Sequence, residues 1–319
     1  MHHSLSYKSK QFFWLIIKLS IVIGCLYFIY TKLLENKQFN FAVFYNKLIE
    51  NNLFSFKNMF FLGVFSVLNW GIEITKWKSL VQFIKNISFF NAAKQSLASL
   101  TTSLITPNRI GEYGAKAMYF DKKYRKQILG LNLIGNFYQM LMTLIFGSMG
   151  FGYFVLNHKI EIDFYPILKI LLLAIIIVSV LFFALNYFNL KWFSLEKAKN
   201  FIKKIPKKLN LKTAILSLLR YVVFSHQFYF LLLIFKVDIS YVDAILAITS
   251  VYLIASIIPM LSLFDVVLKG SVAIWVFSFF NIAPLTILSV TTLMWILNFV
   301  FPAIIGSYFV LTFKPNLAE

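Results

Sequence analysis

Two short stretches hold most of the residues that could do chemistry. "ITPNRIGEYGAK", Ile105 to Lys116, sets a proline, two glycines, Arg109, Glu112 and Lys116 inside otherwise apolar sequence. "PMLSLFDVVLKG" repeats the theme with Pro259, Asp265 and Lys269. In both, an acid precedes a lysine by four positions, so the two share one helix face. A charge in hydrocarbon costs about 2.5–3.5 kcal/mol. Such a pair either neutralises itself and holds its hairpin together, or serves a ligand. Arg109 and Arg220 add positive charge with no evident match in the sequence. Arg109 follows the break at Pro107, near a helix N-terminus, where free N–H groups and the helix dipole favour an anion. Its guanidinium can grip phosphate oxygens in a forked geometry. The chemistry indicated is recognition of a phosphate-bearing ligand.

Other polar residues lie inside apolar runs. Glu73, in "NWGIEITKWKSL", is either a further site residue or a partner of Lys76. His226, in "RYVVFSHQFYF", reads as a hydrogen bond to a neighbouring helix. Asn298, Pro302 and Gly306 read as a kink and a packing surface, and Gly147, Gly150 and Gly152 as close helix contact. Cys25 is the single cysteine, so neither an intramolecular disulfide nor a thiolate metal site is expected. His2, His3, His158 and His226 have no ligand spacing, and no nucleotide, zinc-protease or serine-hydrolase motif occurs. No metal or cofactor is expected.

The elements that must position these residues are membrane helices. The chain has 319 residues, 60% hydrophobic and 13% charged, whereas a soluble domain has about 25% charged residues. Apolar blocks reach the length of roughly 18 or more that crosses a bilayer. The fold class expected is an all-α integral membrane protein with no separate soluble domain. Six blocks read as full spans: 12–31, 59–78, 128–156, 165–187, 213–235 and 284–312. Asn189–Lys212 reads as a polar loop. Two further regions, 91–120 and 242–280, are broken by Pro107 and Pro259, since proline removes a donor and disfavours helix just before it. Asn108 to Phe120 would make only roughly 20 Å of helix against a hydrocarbon core of about 30 Å. Both regions read as re-entrant hairpins, the second with two tight spans as the alternative. Phe41–Ile49 reads as a short helix on the outer surface. The tryptophans Trp70, Trp77, Trp192, Trp275 and Trp295 read as interfacial anchors or packing.

The net charge of +19 does not indicate nucleic acid, because the lysines cluster beside apolar spans, as in the orientation signal of membrane proteins. Lys8, Lys10, Lys76, Lys78, Lys85, Lys122, Lys123, Arg125, Lys126 and the eight lysines from Lys191 to Lys212 fall on one side. That side is assigned to the cytoplasm, with both termini on it. "KAKNFIKKIPKKLNLK" is a topology anchor that can also touch anionic headgroups. Residues 59–156 and 213–312 each read span, broken hairpin, span. Met59 precedes Pro107 by 48 positions and Thr213 precedes Pro259 by 46. Three crossings separate the two starts, so the second unit is inverted. Inverted repeats with broken helices meeting at mid-membrane are a recurring transporter plan.

"ITPNRIGEYGAKAM" resembles the Pro-x-Arg-x-Gly-Glu hallmark of the lysylphosphatidylglycerol synthase transmembrane, or flippase-like, family. The resemblance extends to the acid and Lys76-Trp77 ending the second span, to "SIIPMLSLFDVVLKGSVAI", and to "FPAIIG" near the C-terminus. It implies that Pro107, Arg109, Gly111, Glu112 and Pro259 belong to a substrate site, to which the reading of the residues adds Lys116, Asp265, Lys269, Glu73 and Arg220. The second motif departs from the common glycine-Val-Glu form, having Phe264, Asp265 and Lys269-Gly270 in its place. The soluble aminoacyltransferase domain of full synthases is not in this sequence, so synthesis of aminoacylated lipid is not expected, nor any enzyme activity. The leading expectation is a translocase for a phospholipid or lipid-linked anionic headgroup in a bacterial inner membrane. The alternative is a non-transporting scaffold or accessory subunit of a cell-envelope lipid or glycan enzyme, with homo-oligomers or such an enzyme as partners. A membrane-embedded transferase is a third reading.

Overall fold

The computed structural model describes residues 7–34, 41–104, 106, 110–158, 195–257 and 265–314. The described residues are helical, with no strand among them. In chain order the helices are α1 (Tyr7–Leu34), α2 (Phe41–Glu50), α3 (Phe56–Val81), α4 (Phe89–Leu104), α5 (Ile110–Met118) and α6 (Lys122–His158). There follow α7 (Leu195–Lys204), α8 (Lys207–Ile234), α9 (Tyr241–Ile257), α10 (Asp265–Ser278) and α11 (Pro284–Trp295). A π-helical turn (Ile296–Val300) joins α11 to α12 (Phe301–Leu311).

Four helices are long and apolar enough to cross a membrane: Phe56–Val81, Lys122–His158, Lys207–Ile234 and Pro284–Leu311. They coincide with the expected spans 59–78, 128–156, 213–235 and 284–312. The expected span 12–31 lies within α1, whose apolar part is Trp14–Gly24; 165–187 lies outside the described residues. Large apolar side chains such as Val67, Phe137, Met149, Leu156 and Tyr308 are exposed, as they must be where the solvent is lipid. The chain is an α-helical membrane protein.

The two regions with central prolines are each two short helices, α4 with α5 and α9 with α10. Each pair packs on itself. The breaks, with Pro107, Arg109 and Pro259, lie outside the described residues. At its 16 residues, α4 measures about 24 Å, and α9, at 17 residues, about 26 Å. Neither reaches the roughly 30 Å of a bilayer core when straight.

Two core clusters mark the two ends of the bundle. One gathers Trp77, Leu80, Val81, Ala92, Ala117, Phe120, Ile128 and Ile205, so it joins the end of α3 to the start of α4, the end of α5 and the start of α6. The other gathers Phe44, Leu62, Phe154, Ile234, Phe235, Ala244, Phe277 and Ile287. It joins α2, the start of α3, the ends of α6, α8 and α10, and the starts of α9 and α11. The α4–α5 pair therefore has its free ends at the first cluster and the α9–α10 pair at the second. At the second end, turns close on Asn52, Lys236 and Asn281, all with positive φ. Each is followed by a residue whose N–H returns to a carbonyl five positions back (Leu53 to Leu48, Val237 to Leu232, Ile282 to Phe277), the Schellman stop of a helix.

The expected loop Asn189–Lys212 is not a loop over its described part. Leu195–Lys204 is helix α7, and α8 begins at Lys207. The cause is tertiary. Phe201 packs 6.0 Å from Phe83, ring centre to ring centre, and Ile205 is buried in the first cluster, so a lysine-rich segment is held as a helix by its few apolar side chains. The expected helix at Phe41–Ile49 forms as α2.

Helix α3 packs on α8, α4 on α12, and α6 on α9. The last two contacts are built alike. A Cβ on Gly306 would collide with the Leu97 carbonyl oxygen and with Thr101, and Thr101 Oγ1 donates to the Ala303 carbonyl at 2.9 Å. A Cβ on Gly150 would collide with Thr249, and one on Gly147 would lie 2.6 Å from Leu253 Cβ. Gly152 faces open space, so only Gly147 and Gly150 serve the expected close contact. Small residues let backbones approach where lipid provides no hydrophobic drive.

Candidate functional site

The buried polar residues form a chain through the middle of the bundle. It starts on α3, where Ser66, Asn69, Glu73 and Lys76 recur at three- and four-residue steps and therefore share one face. From α8, Gln227 Nε2 donates to Ser66 Oγ at 2.9 Å, and Arg220 Nε donates to Asn69 Oδ1 at 3.1 Å. From the π-helical turn, Asn298 accepts from Asn69 Nδ2 at 2.8 Å and donates to Gln227 Oε1 at 2.9 Å. Pro302 has no N–H to give the Asn298 carbonyl four positions back. Trp70 Nε1 supplies that donor at 3.1 Å. The kink expected from Asn298 and Pro302 is thus a π-turn that places an amide at the crossing of α3 and α8; such turns concentrate at functional sites.

The chain ends in charge. Glu73 Oε2 lies 2.8 Å from both Lys76 Nζ and Arg220 NH1. Arg220 is therefore not the unmatched cation that its sequence surroundings suggest; its partner is 147 positions away. Lys76 has no other acceptor among the described residues. Gly135 of α6 packs on Leu80, since a Cβ there would lie 3.0 Å from Leu80 Cδ1, and only in ordinary contact, at 3.9 Å, with Lys76 Cε.

Beside this group, α5 presents Glu112 and Lys116, 2.8 Å apart, the pair that the four-residue spacing predicts. Lys116 Nζ also donates to Asn132 Oδ1 of α6 at 2.8 Å and sits 4.4 Å from the centre of the Trp77 ring. Trp77 is fixed in turn by Nε1 donating to Gln95 Oε1 at 2.8 Å. Trp77 thus belongs to the site as well as to the packing. Lys76 and Lys116 are each only 2% exposed, so their charges are balanced by these partners and not by solvent. Asn132 Nδ2 is buried without an acceptor among the described residues.

Gly111 shows why the motif needs a glycine. Its N–H donates to Thr106 Oγ1 at 2.9 Å, and a Cβ there would collide with the Thr102 carbonyl of α4. The start of α5 is held tight on α4, which sets where Glu112 and Lys116 point.

Of the expected site residues, Glu73, Arg220, Glu112 and Lys116 come together with Lys76 at the junction of α3, α5, α6 and α8. Lys269 does not join them. Its Nζ lies 5.6 Å from the centre of the Phe299 ring, in a small recess with Phe228, Tyr252, Met294 and Trp295. Pro107, Arg109 and Pro259 lie outside the described residues, as does the side chain of Asp265. His226 bonds a neighbouring helix as expected, with Nε2 2.9 Å from the Tyr241 hydroxyl at the start of α9. Sequence reasoning missed Asn69, Asn132 and Gln95. Asn69 had a signal, being four positions before Glu73; Asn132 and Gln95 had none, because only tertiary packing brings them in. The chain matches no family model, and comparison with curated proteins finds no match.

Proposed function

We propose that this protein translocates a lipid or lipid-linked anionic headgroup past the buried charge cluster. The observation that carries the proposal is an imbalance of charge. Among the described residues of the cluster, three cations (Lys76, Lys116, Arg220) face two carboxylates (Glu73, Glu112). Two buried donors there, Lys76 Nζ and Asn132 Nδ2, have hydrogen-bonding capacity to spare. An anionic headgroup supplies the missing charge and acceptors. Arg109, on the sequence just ahead of α5, adds a forked phosphate donor to this list.

The reading treats 59–156 and 213–312 as inverted repeats. It is supported by the order helix, two short helices, long helix in each unit. It is also supported by the reciprocal packing of α4 on α12 and of α9 on α6, and by free hairpin ends at opposite ends of the bundle. Rocking of one repeat against the other would expose the cluster to each side in turn. The family resemblance of the first motif points the same way, and the bacterial inner membrane is the proposed location.

The test is reconstitution into liposomes of phosphatidylglycerol and phosphatidylcholine carrying a tail-labelled fluorescent phosphatidylglycerol. Accessibility of the label to a membrane-impermeant quencher is followed over time. Wild-type protein should move the label faster than empty liposomes do. Arg109→Lys keeps the charge but loses the planar fork, so it should slow transport nearly as much as Arg109→Ala. A wild-type rate equal to that of empty liposomes would refute the proposal.

A further inference from the structure

A polar cavity lies apart from the buried cluster, at the end of the bundle where α4 and α6 start and α5 and α12 stop. It has a volume of about 410 Å³. Three cations line it from three different parts of the fold: Lys94 of α4, Arg125 of α6, and Lys314 just after α12. Asp121 is the one acid in its lining, so the cavity has an excess of two positive charges.

None of the three cations forms an ion pair among the described residues. Lys94 Nζ rests 4.5 Å over the Phe90 ring. Arg125 uses Nε on the Phe120 carbonyl at 3.1 Å, which orients the guanidinium and leaves its terminal nitrogens for another acceptor. The remaining wall is aromatic. Tyr119 and Phe313 meet edge to face with ring centres 4.7 Å apart, and Phe309 lies beside them. Aromatic rings with cations are the composition of a membrane–water interface, and a positive cavity at that depth meets phosphate groups first.

We infer that this cavity is a binding site for a phosphate-bearing headgroup, held by Lys94, Arg125 and Lys314 against the Tyr119–Phe313 wall. It is separate from the proposed translocation site and does not depend on transport. The ligand chemistry is a phosphate ester, which a lipid of the surrounding leaflet or a soluble phosphate compound could present.

Native mass spectrometry of the purified protein in neutral detergent tests this, with phosphatidylglycerol, phosphatidylcholine and soluble glycerol phosphate as probes. Phosphatidylglycerol should be retained more tightly than phosphatidylcholine. The Lys94→Gln/Lys314→Gln variant, which leaves the Arg125 bond to Phe120 intact, should lose that preference by roughly fivefold for each cation removed. A control lacking Lys203 and Lys207 of the lysine-rich segment should keep it. Displacement of phosphatidylglycerol by glycerol phosphate identifies a soluble ligand; failure to displace it identifies the lipid. The inference falls if the double variant, shown folded by unchanged helical circular dichroism, retains phosphatidylglycerol as wild type does. It also falls if the control loses the preference equally, or if the wild type shows none.

Discussion

Glu73 is the residue on which the buried cluster turns. It is the one carboxylate within ion-pair distance of both Lys76 and Arg220 among the described residues. Removing one partner of a buried ion pair costs about 3–5 kcal/mol because the other charge is left uncompensated. Glu73→Ala should therefore lower stability in detergent by about that amount, read as denaturant or thermal unfolding. Glu73→Gln combined with Lys76→Gln should recover part of the loss, with a coupling of about 0.5–3 kcal/mol between these neighbours. A single-variant loss within about 0.5 kcal/mol, as for an ordinary surface position, would show that the cluster is not charged as drawn. At this scale the sequence is half legible. The Glu112–Lys116 pair follows from spacing alone, and the Glu73–Lys76 pair was one of two readings. Arg220 could not be placed, because its partner comes from a helix 147 positions away and no local pattern encodes that distance.

At the scale of elements, the long apolar helices were legible because bilayer thickness sets their length and apolar composition marks it. Their ends were less so: α6 begins six residues before the expected start, through a polar first turn, Lys122 to Gln127, that apolar counting excludes. Helix α7 was missed for the opposite reason, since its lysines hide the few side chains that dock it. The glycine contacts set how closely two of the helix pairs approach. Gly306 of α12 lies so close to α4 that any side chain must push the helices apart, whereas Gly152 of α6 faces open space. Gly306→Leu should lower the unfolding temperature in detergent and reduce the yield of folded protein. Gly152→Ala should be neutral or should stabilise by up to about 1 kcal/mol, the helix-propensity gain of alanine over glycine. Equal losses from both would mean that α12 does not rest on α4 through Gly306. Trp70 adds a different kind of link: by donating to the carbonyl that Pro302 leaves without its helical donor, it ties α3 to the one irregular turn of the last span.

At the scale of the whole molecule, charge and topology agree. The basic first turn of α6 and the lysine-rich α7 and start of α8 lie at the end where α3 stops and α4 starts. The other end carries Lys47, Lys57 and Lys236 with Glu50, Asp238 and Asp243, so its charges balance. The lysine pattern predicted this partition before any packing was known, because each helix reverses direction and the charges follow the same parity. The sequence could not show how the helices pack, since the contacts of α4 with α12 and of α9 with α6 leave no trace in local periodicity. The partition makes a direct prediction about sidedness. Lys126, on the exposed first turn of α6, and Ala283, exposed just before α11, lie at opposite ends of the bundle. In the chain, one follows the α4–α5 pair and the other the α9–α10 pair. Single cysteines at these positions, in a Cys25→Ser background, can be treated with a membrane-impermeant maleimide in right-side-out and in inverted vesicles. Lys126→Cys should react only when the cytoplasmic face is outward, and Ala283→Cys only in the opposite preparation. If both react from the same side, the hairpins open in one direction. The proposed inverted repeats are then excluded, and a central site could not be presented to each face by a rocking motion.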